Sequence, residues 1–256
     1  MRILIKFGGT LLDGDESRAR VASDLAGVLN SSRRTVVVHG GGKQMTRFLK
    51  ERGVESKFVR GLRVTTPEVV DAILKIFTGT VNRQFVASLV AAGVPAVGLS
   101  GIDACLVEAE QMDPELGAVG RPVRSDPAVL NALLDGGFLP VVACVAGGRE
   151  GQIYNVNADQ MASACAAGFS AEKLFFLTDV AGVQGADGKI IPELTIADGE
   201  KLIRDGVATG GMQAKLNSAH EALRNGVREV VIAPGSEKGV VRRLLDGELL
   251  GSRLAE

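Results

Sequence analysis

A lysine stands inside the apolar run Ile5-Lys6-Phe7, and two glycines, Gly8 and Gly9, follow it directly. An ammonium in a buried strand is costly unless it meets an anion, and paired glycines let a backbone approach a ligand closely. The stretch Val36 to Gly42, VVVHGGG, offers the same chemistry again: a buried strand that ends in three glycines and opens a helix. Successive N–H groups in such a turn, added to the positive end of a helix dipole, form a concavity for phosphate or carboxylate. A plain strand-to-helix turn would need one glycine; three in a row favour an anion site. The turn is not a Walker A loop, because Val37 stands where that loop needs glycine and Gln44 where it needs Ser or Thr. His39, beside the glycines, reads as a structural residue at a strand end and is given no chemistry.

Both turns must sit at the carboxyl edge of a parallel sheet, where open α/β proteins hold ligands. The rest of the chain supplies such a sheet, since strands rich in valine and isoleucine alternate with helical stretches of matching size. The pattern predicts an α/β fold, a three-layer α/β/α sandwich with a central mostly parallel sheet. Strands are expected at Ile3 to Phe7, Thr35 to His39, Ala96 to Ser100, Leu139 to Val145, Lys173 to Thr178 and Glu229 to Ala233. Helices are expected at Glu16 to Asn30, Lys43 to Arg52, Pro127 to Leu134, Ala158 to Ala167 and Gly211 to Asn225. Pro67 opens a long helix reaching about Ala92, with Val69, Val70, Ile73, Ile76 and Phe77 on one side, continued by Phe85, Leu89 and Val90. Cys105 to Glu110 and Leu116 to Val123 suggest short antiparallel strands, and Gly182 to Ile191 a hairpin turning at Asp187-Gly188. With no repeat or flexible linker, residues 1–256 read as one unit of two lobes, 1–168 and 169–256, meeting near Gly168 to Ala171.

Composition excludes several function classes. Lys+Arg (29) and Asp+Glu (30) nearly cancel, so no global field draws the chain to nucleic acid or an anionic membrane. Hydrophobic residues at 46% and charged residues at 23% are ordinary for a globular chain. Cys105, Cys144 and Cys165 are widely spaced among small or apolar neighbours and read as buried reduced thiols, with no metal-ligating cluster. Met1 runs straight into Arg2-Ile3-Leu4, and no apolar run nears the roughly 18 residues of a membrane span. A reducing cytoplasm is the expected location.

The motifs IKFGG, VVHGGG, GLRVTT, VGLSGID, NVNADQMA, LTDVAGV, GGMQAKL and GSRL occur in this order over nearly the whole chain. On them the sequence resembles the amino acid kinase family, most closely its acetylglutamate kinase branch. The resemblance implies ATP-dependent phosphorylation of the side-chain carboxylate of N-acetyl-L-glutamate, a step of arginine biosynthesis, with Mg2+ held mainly by phosphates and water. Two departures stand out: KFGGT looks more like aspartokinases, although Leu11 stands where those have serine, and GMQAK varies the usual Ile-Pro before the lysine. The open alternatives are another carboxylate kinase of this fold, acting on aspartate or carrier-bound aminoadipate, and a non-catalytic ligand sensor.

The resemblance also implies roles for residues that read blandly alone. Lys6 would touch the transferring phosphoryl group; Lys215, otherwise an ordinary helical lysine, would serve the leaving phosphates. Asp159, otherwise a first-turn acid or cap, would orient both lysines. Arg63 offers a planar fork suited to a carboxylate, and the resemblance gives it the acceptor's α-carboxylate, with Asn155 at the same end and amides from Gly41 and Gly42. Asn157 reads as the helix cap. Gly8 and Gly9 would lie beside the phosphates, and Asp179, Val180, Gly182, Val183, Gln184, Val207 and Thr209 would contact the nucleotide. The first lobe would then bind acetylglutamate and the second ATP. A homodimer through the Pro67 to Ala92 helix is expected, insensitive to arginine, since arginine-inhibited relatives carry an extra N-terminal helix.

Overall fold

The computed structural model describes residues 1–29 and 33–255. In chain order the first half contains β1 (Arg2–Phe7), α1 (Asp15–Ala26), β2 (Arg34–His39), α2 (Gly42–Glu51), β3 (Phe58–Val59), β4 (Leu62–Arg63), α3 (Pro67–Ile73), α4 (Asn82–Ala91), β5 (Ala96–Ser100), β6 (Val107–Gln111) and β7 (Gly120–Ser125). There follow α5 (Ala128–Asp135), β8 (Leu139–Ala143), β9 (Val145–Gly147), β10 (Ile153–Asn155), α6 (Ala158–Gly168), β11 (Lys173–Thr178), β12 (Glu193–Thr195), α7 (Ile196–Arg204), α8 (Gly210–Arg224), β13 (Glu229–Pro234), α9 (Val240–Leu245) and β14 (Ser252–Ala255). The expected helix end at Asn30 lies outside the described residues.

An eight-stranded sheet of order β12-β14-β13-β11-β1-β2-β8-β5 forms the centre. From β13 to β5 every neighbouring pair is parallel; β14 runs antiparallel to β13, with β12 parallel to it. The apolar runs of these inner strands are buried throughout, as strands covered on both faces must be. Side chains alternate across β1. Phe7 meets Phe85 of α4 edge-on at 5.7 Å between centroids, while Lys6 points to α6 on the other face. A four-stranded sheet, β10-β9-β6-β7, packs beside α6. The main sheet passes from β1 to β11 without interruption.

Three expectations are corrected. The Pro67 to Ala92 helix is capped by the Thr66 side chain as its sequence predicts, but residues Leu74–Val81 between α3 and α4 are π-helical. The wider turn shifts the apolar stripe beyond it, so Val81 is buried and Val90 56% exposed; Val70, ahead of the π segment, is half-buried. The strand from Leu139 breaks at Cys144, because the Val145 carbonyl accepts from Gly101 N–H at 2.7 Å and the chain changes sheet. Cys105 is exposed, in a turn where it and Ala104 both adopt positive φ; Cys144 and Cys165 are buried, and all three thiols are free. No described helix is long and apolar enough to cross a membrane.

Candidate active site

Asp159 lies in the first turn of α6, whose cap is Asn157: its Oδ1 accepts from the N–H groups of Asp159 and Gln160 at 2.9 and 3.4 Å. Asp159 is 4% exposed, and its carboxylate meets an ammonium on each oxygen. Lys6 Nζ reaches Oδ1 at 2.6 Å from β1, and Lys215 Nζ reaches Oδ2 at 2.9 Å from α8. Burial alone would push this carboxyl up, but the two ammonium groups outweigh it and hold it below the usual carboxylate range. Asp159 is therefore a fixed anion at neutral pH, unsuited to act as a base.

This triad forms one wall of a cavity of about 270 Å³. Gly9 and Gly40 to Gly42 line a second side, and Arg63, Asn155 and Asn157 complete the polar lining. The Arg63 guanidinium donates to Thr46 Oγ1 at 2.7 Å, to the Gly42 carbonyl at 3.3 Å and to Ser56 Oγ, and its carbon lies 4.7 Å from the Phe58 ring centroid. Burial lowers its pKa, and no carboxylate pairs with it among the described residues. A rigidly held, uncompensated guanidinium facing a cavity is matched to a carboxylate ligand. Asn155 donates to Thr65 Oγ1 at 3.0 Å. Phe58, Leu62, Phe77, Val119 and Cys144 add an apolar side that sequence reasoning did not assign; only Leu62 was visible, inside the GLRVTT motif.

A second cavity, of about 380 Å³, is lined by Val180, Gly182, Gln184, Val207 and Thr209, together with Ala181, Ala208 and Met212. Met212 in the first turn of α8 walls this cavity, and Lys215, about 4.5 Å further along the helix, enters the first. Three expected residues stand apart. Val183 is fully buried, its N–H donated to Ser252 Oγ, because β14 covers it; Asp179 is exposed at the strand end, accepting from Thr178. Gly8 gives its N–H to the Leu177 carbonyl at 2.9 Å and has no amide left for an anion.

His39 is fully buried and its pKa is pushed down to about 4 by desolvation, so it is neutral and structural, as its position suggested.

Residues 1–234 match the family model described as the amino acid kinase family. The chain is 58% identical over 254 residues, 99% of both chains, to an acetylglutamate kinase of Solibacter usitatus (strain Ellin6076). It is 43% identical to an acetylglutamate kinase of Acidobacterium capsulatum, over 94% of both chains. Among solved structures it resembles an N-acetylglutamate synthase from Neisseria gonorrhoeae complexed with coenzyme A and N-acetyl-glutamate, with a TM-score of 0.87 and 26% identity; the match covers all of this chain and 59% of that one. By the span of the family match and the identity of these relatives, the chain belongs to the amino acid kinase family.

Proposed function

We propose that the chain transfers the γ-phosphoryl group of ATP to the side-chain carboxylate of N-acetyl-L-glutamate, giving an acyl phosphate for arginine biosynthesis. The observation that carries this reading is Asp159 held between Lys6 and Lys215 on the wall of a cavity that also presents the unpaired Arg63. A carboxylate with a pKa of about 4.3 is ionised at pH 7, so the nucleophile needs no general base. The barrier is charge: two like unit charges at 4 Å repel by about 4 kcal/mol at an effective dielectric near 20. Lys6 answers that repulsion at the transferring group and Lys215 on the leaving side, while Asp159 keeps the two ammonium groups oriented.

At the other end of the acceptor, Arg63 would hold the α-carboxylate and Asn155 would hydrogen-bond nearby; at the reacting end, the Gly41 and Gly42 amides would seat the side-chain carboxylate. The second cavity is of the size and mixed lining that suits adenosine. Residues 1–168 would thus serve the acceptor and 169–256 the nucleotide. Magnesium, when bound, neutralises phosphate charge; Asp159 is engaged by two ammonium groups, so its ligands in this reading are phosphate oxygens and water. The three free thiols suit a reducing cytoplasm. We further propose a homodimer through the α3–α4 rod, whose Val90 is exposed; a monomer or hexamer mass by light scattering would count against it.

The test is an acceptor panel of N-acetyl-L-glutamate, L-glutamate, L-aspartate, aminoadipate and carbamate with ATP, trapping acyl phosphate with hydroxylamine. N-acetyl-L-glutamate should give the highest kcat/KM. Preference for another acceptor, or no hydroxamate at all, overturns the reading.

A further inference from the structure

Behind the glycine turn, a buried chain of hydrogen bonds runs from the start of α4 to the Gly40 carbonyl. Asn82 is fully buried, and its Nδ2 donates to the Val141 carbonyl of β8 at 2.9 Å and contacts His39 Nε2 at 3.0 Å. A carbonyl can only accept, so Val141 fixes which end of the amide faces the sheet. The second amide proton then points at His39 Nε2, which must be the bare nitrogen of a neutral imidazole. The ring proton is left on Nδ1, 3.0 Å from the Gly40 carbonyl. Asn82 Oδ1 stays buried without a partner, and glycine at position 98 leaves it room, since a Cβ there would overlap it.

The Gly40-Gly41 peptide is trans, so a carbonyl drawn toward His39 sends the Gly41 N–H to the opposite side. On that side neither the Gly41 nor the Gly42 N–H has a protein acceptor among the described residues. Both nitrogens face Gly9, whose added Cβ would lie 3.3 and 3.2 Å from them, and all three glycines line the cavity. We propose that Asn82 and His39 are positioning residues: by fixing the imidazole tautomer they hold the Gly40-Gly41 peptide with its N–H aimed at the acceptor carboxylate. This inference rests on the reading of the glycine turn as the acceptor seat.

NMR of ¹⁵N-labelled wild-type protein at pH 7, with His39 assigned through its backbone, reads the tautomer directly. Nδ1–H with a bare Nε2 is expected, and Nε2–H overturns the proposal whichever acceptor the panel selects. With the acceptor that wild type turns over, the Gly41 amide resonance should shift on saturation; an unmoved resonance also overturns it. In kinetics, His39→Asn places an amide donor where Nδ1 stood, whereas His39→Gln places its amide at Nε2 and loses that donor. His39→Gln should raise the acceptor KM about 10- to 100-fold, the worth of one charge-assisted hydrogen bond, with KM for ATP unchanged, and His39→Asn should restore it. Equal damage in both variants, or an equal rise in both KM values, refutes the assignment. Should neither variant fold, the wild-type tautomer decides alone. Loss of activity toward N-acetyl-L-glutamate in the wild type would instead sink the substrate reading.

Discussion

Replacing Asp159 by asparagine keeps the shape of the side chain but removes the charge that Lys6 and Lys215 share. Lys6 and Asp159 side chains are only 6% and 5% exposed, so Lys6 meets solvent only through the cavity it lines, while Lys215 at 16% can swing partly outward. Breaking a buried ion pair by removing one partner costs about 3–5 kcal/mol. With one lysine able to relax, the lower end applies, and about 3 kcal/mol in a chain of this size lowers Tm by roughly 6–12 °C. A triphosphate would supply the missing negative charge, so ATP should raise the Tm of Asp159→Asn by more than it raises that of wild type. The depressed pKa of Asp159 adds a pH signature. Its stabilisation is fully present above the ordinary value of 3.8 and is lost as pH falls through the lower folded value, so the gap between the two proteins should narrow only in strong acid. Thermal denaturation with and without ATP measures both effects. A variant melting within about 2 °C of wild type, or gaining no more from ATP than wild type does, would refute the idea that this carboxylate compensates two buried ammonium groups.

Lys6→Met should lower kcat by at least about 10²-fold while circular dichroism stays native, because methionine fills the same buried channel; retained turnover would remove Lys6 from the chemistry. His39, neutral in the fold with its pKa near 4 against 6.5 unfolded, contributes stability above pH 6.5 that is lost as pH falls toward 4. That amounts to about 3 kcal/mol, and denaturant titrations across this window should show a steeper decline for wild type than for His39→Asn. Burial pushes the Cys144 and Cys165 thiols up to about 12, so a disulfide reagent should label Cys105 fast and the other two only after unfolding.

The inner strands and their following helices were legible because continuous apolar runs and glycine turns are local signals. Lys173–Thr178 matched its expected bounds, and Asn157 caps α6 as read. What escaped notice was set by partners distant in sequence. The short strands β12, at the sheet edge, and β14, between it and β13, are defined by pairing with partners distant in sequence, not by a strong pattern of their own. The π segment Leu74–Val81 carries no composition signal; it brings Phe77 against Gly41, where an added Cβ would lie 2.8 Å from the ring.

For the site, sequence by itself picked out the two glycine turns and the lysine ahead of the first, because those depend on residue type and near neighbours. The family resemblance implied that Asp159 orients Lys6 and Lys215, but no local spacing does so: 56 residues separate that acid from its second partner, and the packing of α6 and α8 closes the gap. Only the tertiary structure decided that Asp179 and Val183 lie off the second cavity and that His39 faces Asn82. A side chain's direction depends on which elements pack around it, and no local spacing encodes that.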